Sequence, residues 1–259
     1  MTRHVEHAMG TVFSFDVRGP VDAADAADAL AQAVAWLHRV DETFSTYRPD
    51  SPVSRLGRGE IGLDDCPPEV AEILDMCDLA AQASHGYFTT YPGGRLDPSA
   101  MVKGWAIEQA SHILRRAGAV NHCVNGGGDV QLAGTAAPGR PWRVGVAHPL
   151  RPGDLATLVT GSDLAVATSG TAERGPHILD PHTGRPATEL ASITLVGASL
   201  TMTDAYATAA FAMGGAAEEW VTGLEGVEAF AVTASGGTWH TPGFPHAPQV
   251  PALSIRPSV

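Results

Sequence analysis

Apolar residues follow a helical spacing mainly in the first half of the chain. Residues 22–44 place apolar side chains near every third or fourth position, which predicts an amphipathic helix. A second helix is expected from Pro67-Pro68 to about residue 84, because proline is favoured at the first helical positions. A third is expected over residues 99–117, where Gly118 can cap the C-terminus.

Strand patterns come before and after these helices. Residues 9–17 alternate loosely and predict a first strand, and a turn-rich loop is expected between the first two helices. Residues 120–169 hold short apolar runs separated by glycine-rich turns, which is typical of an antiparallel meander. The later runs ASITLVGAS and VEAFAVTA also predict strands, and residues 203–213 and 216–224 predict short helices.

Strands and helices do not alternate regularly, which favours an α+β fold over a doubly wound sheet. We find no repeat at a solenoid period and no clean linker. The prediction is therefore a single domain over residues 1–259, with a helical part and a mostly antiparallel sheet part.

Composition and charge narrow the classes of function. The chain has 259 residues, enough to bury a core, and lacks the roughly 18 consecutive apolar residues of a transmembrane helix. Its 28 acidic and 16 basic residues give a net charge of -12, which excludes a nucleic-acid-binding surface. Taken alone, this charge also argues against a strongly anionic ligand. Three cysteines without CxxC spacing and the absence of an apolar signal core predict a cytoplasmic location.

A possible metal site lies in the helix predicted over residues 203–213. Asp204 and Thr208 are four residues apart, so their oxygens project from one helix face. A carboxylate and a hydroxyl from adjacent turns form half of an oxygen-rich Mg²⁺ site. Alternatively, Thr203 or Asp204 caps the helix and Thr208 packs among small residues.

A possible anion site lies at the start of the third predicted helix, in the segment LDPSAMVKG. A helix N-terminus offers backbone N–H groups to a phosphate, and Lys103 adds a positive charge. Alternatively, Asp97 is an N-cap and Lys103 is exposed.

Two glycine-containing turns are also candidates. Gly126-Gly127-Gly128 permits close approach of backbone to a ligand, or makes a hairpin connection. The Asp180-Pro181 turn in HILDPHTG could present His177 to a cleft, or be structural only.

These segments follow one another in an order that resembles the ApbE-type flavin transferases, which are FAD:protein FMN transferases. The series runs from MGT and FSTY through LDxxxxxKGW, NGGGD, WxVGVxxP, TSG and HILDPxTG to TDAxAT. It extends from Met9 to about Gly214, and HILDPHTG and the DAYAT helix are its most specific parts.

The resemblance implies an ApbE-like α+β fold and an enzyme that uses FAD and Mg²⁺. Such an enzyme transfers FMN to a Thr or Ser hydroxyl of an acceptor protein and releases AMP. By this resemblance the Mg²⁺ ligands are Asp204, Thr208 and the backbone carbonyl of Ala100. The residues implied to contact FAD are Met9, Tyr47, Asp97, Lys103 and His177. The catalytic residues expected are Asp204, which holds the metal at the pyrophosphate, and His177, which orients the flavin-side phosphate or the ring.

The chain departs from the family pattern at several positions. The segment between Thr89 and Asp97 is shorter than usual, and Thr89 itself replaces an Asp. Gly57 replaces an Asn, and Pro98 replaces a Leu. Some members carry a second carboxylate where this chain has Ala207, so one metal ion is expected rather than two.

Other functions of the same scaffold stay open. These are an FAD pyrophosphatase that yields FMN and AMP, a flavin-binding protein without transfer activity, and a different transfer reaction. A pyrophosphate site in so acidic a chain would depend on Mg²⁺ at Asp204, on Lys103 and on a helix N-terminus for its positive charge. FAD is therefore expected to bind weakly without Mg²⁺.

Overall fold

The computed structural model describes residues 1–19, 21–172, 175 and 177–246. In chain order the strands are β1 (Thr2–Ala8), β2 (Thr11–Arg18), β3 (Asn121–Gly126), β4 (Asp129–Ala133), β5 (Trp142–Ala147), β6 (Leu155–Gly161), β7 (Ala165–Gly170), β8 (Leu179–Asp180), β9 (Arg185–Pro186), β10 (Leu190–Gly197), β11 (Glu228–Thr233) and β12 (Thr238–His240). The helices are α1 (Ala23–Phe44), α2 (Pro52–Gly57), α3 (Pro68–Ala83), α4 (Ser99–Arg116), α5 (Leu200–Met213) and α6 (Ala217–Thr222).

One antiparallel sheet forms the centre of the protein. It contains eight strands in the order β1-β2-β3-β4-β7-β10-β11-β12. The pairs β5–β6 and β8–β9 form separate two-stranded sheets, so the meander expected over residues 120–169 is interrupted by the β5–β6 hairpin. The predicted α+β class with a mostly antiparallel sheet is confirmed. The last part of the predicted domain, residues 247–259, lies outside the described residues.

Helices cover one face of the sheet. Helix α4 packs on β3 and β4, α5 packs on β7 and β10, and α1 packs on α4. The core between them buries large side chains from both layers, among them Phe13, Phe15, Leu37, Ile107 and Phe211. This burial of apolar area is the main force that holds α4 and α5 against the sheet.

The β5–β6 hairpin covers the opposite face. Its Trp142 and Val159 pack on Val130 and Val166 of the central strands in a second apolar cluster. Because side chains alternate along a strand, Asp129 faces the helices while its neighbour Val130 faces the hairpin. The Asp129 carboxylate therefore lies between β4 and the helices, on a strand that is buried on both faces.

Several predicted boundaries were wrong. The strand predicted over residues 9–17 is β2, and Met9-Gly10 forms the turn that joins it to β1, because Ala8 pairs with Thr11. The helix predicted over residues 203–213 is α5, which begins at Leu200 rather than at Thr203. The segment expected to be a loop contains α2, where Ser51 caps the helix by accepting from Ser54 N.

The bounds predicted for two other helices are confirmed. Helix α1 starts after Asp22, whose side chain accepts from Ala24 N, and it ends at Phe44 as expected. Helix α4 starts at Ser99 and ends within one residue of the predicted C-terminus. In the described part of the chain, no helix is long and apolar enough to cross a membrane.

Candidate functional site

A cleft of about 1650 Å³ lies where the β1–β2 turn, the start of α4, the β3–β4 turn and the β5–β6 hairpin meet. Of the residues predicted to form the site, seven line this cleft: Met9, Tyr47, Asp97, Ala100, Lys103, His177 and Thr208. Asp204 lies behind the lining, with a residue exposure of 4%. The structure therefore brings the residues implied by the motif series to one place, although they are dispersed along the chain.

Lys103 stands between two buried carboxylates at the base of the cleft. Its Nζ contacts Asp129 Oδ2 and lies 3.5 Å from Asp204 Oδ1. The Lys103 side chain is 24% exposed, so the alternative of a solvated surface lysine is wrong. Two carboxylates against one ammonium leave this corner with a net negative charge, which favours a further cation.

Asp129 is a site residue that the sequence predictions did not include. Its residue exposure is 1%, and its Oδ1 accepts a 2.9 Å hydrogen bond from Thr168 N on β7. The two central residues of the preceding turn, Gly127 and Gly128, both have positive φ, which a tight hairpin requires. The acidic residue closing NGGGD was the available signal, because a hairpin of this kind points Asp129 to a defined face of β4.

Helix α5 carries Asp204 and Thr208 into the site because its small residues allow close packing. Most of its side chains are buried between α4 and the sheet. Its N-terminus is held by Glu108 of α4, whose Oε2 accepts from Thr201 N at 2.9 Å and from Ser199 Oγ at 2.8 Å. Asp204 lies one turn inside the helix, so its predicted alternative role as an N-cap is wrong.

The oxygen atoms near Asp204 have the chemistry of a hard-cation site. Thr208 Oγ1 lies 3.5 Å from Ser169 Oγ on β7, and both residues line the cleft with Ala100. Among the described residues, no group of three or more His, Cys, Asp or Glu side chains could hold a metal ion. A site here would therefore combine a carboxylate with hydroxyl and carbonyl oxygens, and such all-oxygen sets suit Mg²⁺ better than zinc.

The N-terminus of α4 is less available to an anion than the sequence suggested. Asp97 Oδ1 accepts from Ser99 N at 3.0 Å, and it also accepts from the Ser99 hydroxyl. The N–H groups of Met101 and Val102 both bond to the Pro98 carbonyl. Asp97 thus acts partly as a helix cap. Because these N–H groups already have acceptors, the start of α4 adds little to Lys103 as a binding site for an anion.

Met9 reaches the cleft from a strained turn. Its φ is 52°, in the left-handed region that L residues other than Asn and Asp rarely adopt. The next residue, Gly10, also has positive φ, so the pair forms the tight β1–β2 turn. Residues with strained backbone conformations are frequent at functional sites, so the conformation of Met9 is consistent with a role in the cleft.

Tyr47 stands at the mouth of the cleft and is 96% exposed. Its loop is fixed at both ends, because the hydroxyls of Ser51 and Ser54 both donate to the Ser45 carbonyl, at 2.7 and 3.1 Å. The FSTY and Asp-Ser segments of the motif series are therefore one folded unit. It presents an aromatic ring beside the cleft.

His177 is exposed and lines the cleft ahead of the β8–β9 turn. The turn is ordered by Asp180, whose carboxylate accepts from His182 N and from Thr183 Oγ1, each at 2.9 Å. The His182 N–H is the main cause that lowers the pKa of Asp180. The His182 ring also packs edge-on against Tyr87, with centroids 4.5 Å apart, so the HILDPHTG turn is tied to the cleft wall.

Comparisons with known proteins identify the family of this chain. The family model described as "ApbE family" matches residues 9–93 and 89–231. The FAD:protein FMN transferase of Rhodobacter capsulatus is 29% identical over 219 residues, which are 80% of this chain and 39% of that protein. The Vibrio cholerae protein of the same name is 32% identical over 129 residues, which are 46% of this chain and 39% of that protein. The aligned part of this chain thus spans about two fifths of each of these relatives.

Solved structures show the same fold. The ApbE protein of Thermotoga maritima superposes with a TM-score of 0.82 at 23% identity, over 93% of this chain and 97% of that one. The flavinyl transferase ApbE of Pseudomonas stutzeri gives a TM-score of 0.78 at 21% identity, over 93% and 95% of the two chains. Because the family model also covers most of the sequence, the chain belongs to the ApbE family.

Proposed function

We propose that this protein transfers FMN from FAD to a Thr or Ser hydroxyl of an acceptor protein and releases AMP, with Mg²⁺ as the required metal. The observation that carries the proposal is the buried pair Asp204 and Lys103 at the base of a cleft large enough for a dinucleotide. A carboxylate that can hold a metal ion, next to a lysine, would place two positive charges beside a pyrophosphate. Such charges stabilise the negative charge on the phosphate oxygens during phosphoryl transfer. Membership of the ApbE family supports the same reaction.

The metal ligands in this proposal are the Asp204 carboxylate, the Thr208 hydroxyl and the Ala100 backbone carbonyl. The fit rests on the oxygen donors near Thr208 and on the net negative charge around Lys103. When bound, Mg²⁺ supplies Lewis-acid stabilisation of charge on the phosphate oxygens. The same charge pattern predicts that FAD binds weakly without Mg²⁺, because Lys103 is already paired with two carboxylates.

The remaining predicted residues orient FAD in this proposal. Lys103 donates N–H hydrogen bonds to a pyrophosphate oxygen from the base of the cleft. His177 borders the phosphate or the flavin ring from the β8–β9 side, and Met9 and Tyr47 offer apolar surface to flat rings. Asp97 keeps the first turn of α4 in place through Ser99.

In the proposed reaction the acceptor oxygen bonds to the flavin-side phosphorus. The bond between this phosphorus and the bridging oxygen breaks, and AMP leaves with the electron pair. The acceptor hydroxyl proton passes to solvent or to a phosphate oxygen, since the sequence and the described site offer no dedicated general base. Water in place of the acceptor hydroxyl would give FMN and AMP, which is the pyrophosphatase alternative.

Incubation with FAD and Mg²⁺ tests the proposal. AMP and FMN are quantified by chromatography, with and without a cell lysate as a source of acceptor, and covalent flavin is detected by fluorescence in a denaturing gel. A transferase releases AMP only with acceptor present and labels a protein band. AMP with free FMN in the absence of acceptor would indicate a pyrophosphatase, and recovered FAD without AMP would indicate a binding protein.

Asp204→Asn separates the metal role from folding. This change keeps the side-chain shape and removes the charge, so metal-dependent AMP release should fall by at least about 100-fold, or ~2.7 kcal/mol of barrier. Asp154→Asn is the matched control, because Asp154 pairs with Arg151 on the surface and does not line the cleft. Undiminished turnover in Asp204→Asn would contradict the proposal. The Thr or Ser acceptor hydroxyl and the cytoplasmic location stay predictions.

A further inference from the structure

We infer that Asp129 is a positioning residue that holds the Lys103 ammonium at its present place, so that the ammonium does not move fully onto Asp204 and a divalent cation can bind there. The inference rests on the proposed function, because it concerns the same metal site. It assigns to the NGGGD turn a role in cation binding that acts through Lys103.

The positions of three charged groups support this role. The Lys103 ammonium is closer to Asp129 Oδ2 than to Asp204 Oδ1, which lies 3.5 Å away. Both carboxylates are almost fully buried, and the Lys103 side chain is mostly buried too. At such distances in a partly dry site, a small shift of the ammonium changes its interaction with each carboxylate strongly.

Asp129 is held rigidly enough to control the ammonium. Its Oδ1 is fixed by Thr168 N, which leaves Oδ2 directed at Lys103. The strand that carries Asp129 is paired on both sides, since Asp129 lies opposite Gly126 of β3 and Val130 lies opposite Val166 of β7. The carboxylate therefore cannot follow the ammonium toward Asp204.

The charges of this corner explain why a divalent cation would still be attracted. Asp129 offsets much of the Lys103 charge, so the Asp204 carboxylate still attracts an incoming cation. Without the Asp129 charge, the ammonium would move onto Asp204 and compete with the ion for the same oxygen. Asp129 does not ligate the metal in this inference. Removing its carboxylate should still weaken metal binding by more than the loss of one negative charge near the ion would explain.

Mn²⁺ binding to the FAD-free full chain tests this inference, with free Mn²⁺ measured by electron paramagnetic resonance. The proteins compared are the unchanged chain, Lys103→Met, Asp129→Asn and the double variant, with Asp154→Asn as the surface control. Lys103→Met should tighten Mn²⁺ binding. Asp129→Asn should weaken it by more than about tenfold, or ~1.4 kcal/mol. The double variant has the same net charge as the unchanged chain and should bind Mn²⁺ within about threefold of it.

The decisive comparison is the loss of Mn²⁺ affinity that Asp129→Asn causes in the chain with Lys103 and in the Lys103→Met variant. The inference requires a clearly larger loss with Lys103 present than in the Lys103→Met background. Equal losses would mean that Asp129 acts by its charge alone, and would overturn the inference while leaving the metal site intact. If Asp129→Asn does not fold, an unchanged Mn²⁺ affinity in Lys103→Met also overturns it. No Mn²⁺ binding in either the unchanged chain or Lys103→Met would instead overturn the metal site of the proposed function, and the inference with it.

Discussion

Gly104 of α4 packs directly against Asp204 of α5. A Cβ at position 104 would lie 2.9 Å from Asp204 Cβ and 2.6 Å from the Leu200 carbonyl oxygen. Only glycine allows the two helices to approach so closely, and this approach puts Asp204 next to the neighbouring Lys103. In the KGW segment of the motif series, the glycine is therefore explained by helix packing, and the lysine by its ion pairs with two carboxylates.

Gly104→Ala should displace α5 and disturb the site more than the fold. We expect the free energy of unfolding to fall by about 1–3 kcal/mol, the usual cost of overpacking a core. Mn²⁺ affinity should fall as well, because Asp204 moves with the helix. Urea unfolding and Mn²⁺ titration measure the two effects. Gly62→Ala is the control, since a Cβ there meets only Asp65 Oδ2 at 3.6 Å. Unchanged stability and Mn²⁺ affinity in Gly104→Ala would contradict this packing.

Glu108→Ala should destabilise the start of α5. Glu108 Oε2 accepts from Thr201 N and from the hydroxyls of Ser199 and Thr201, and a carboxylate also interacts favourably with a helix N-terminus. Loss of such a cap costs about 2 kcal/mol of unfolding free energy. Chemical denaturation measures it, with the exposed Glu72→Ala on α3 as control. A cost equal to that of the control would show that Glu108 does not cap the helix.

Met9→Gly should separate stability from ligand binding. Glycine adopts a φ of 52° without strain, and this gain of about 1–2 kcal/mol offsets the lost contacts and the larger entropy of the unfolded chain. Stability should therefore change little, while FAD affinity should fall by about tenfold, or ~1.4 kcal/mol. His85→Gly is a matched control, because His85 has a φ of 53° but does not line the cleft. Unchanged FAD affinity in Met9→Gly would remove Met9 from the site.

Acid should destabilise the protein through His122. This side chain is fully buried against Ser111 Oγ and the Ala119 carbonyl, and burial lowers its pKa to about 4 from 6.5. Between these pKa values the unfolded chain binds a proton that the folded protein excludes, so stability falls as the pH drops from 6.5 to 4. The loss from this group reaches about 3 kcal/mol.

Comparison with His122→Gln isolates this contribution. Unfolding free energies are measured from pH 8 to pH 4 for both proteins. The difference in stability between the two proteins should shift in favour of the variant over the predicted window. Parallel pH profiles would contradict a buried neutral His122.

Local signals in the sequence were sufficient for helix α1 but not for the first strand. Helix α1 has an apolar stripe and a capping Asp22, so its bounds follow from the pattern. Strand β1 reads TRHVEHA, with few apolar residues, because it is an edge strand with alternating half-exposed and exposed side chains. Its pairing with β2 comes from the Met9-Gly10 turn, whose methionine carries no turn signal.

Long-range pairing explains the parts of the site that the sequence did not reveal. The motif order predicted which residues gather at the cleft and gave Lys103 a phosphate as its partner, but it did not reveal that two carboxylates flank Lys103. Asp129 and Asp204, the carboxylates that flank it, are distant in sequence and meet it only when α4, α5 and β4 pack together. Their pairing depends on tertiary packing, which no local pattern encodes.

The most direct test of the account is the stoichiometry of AMP release and protein-bound FMN. FAD and Mg²⁺ are incubated with the protein and an acceptor-containing lysate, AMP is quantified by chromatography, and bound flavin is quantified by fluorescence after denaturation. The account predicts equal amounts of AMP and protein-bound FMN, and neither product with Asp204→Asn. AMP accompanied only by free FMN, or equal yields from Asp204→Asn, would contradict it.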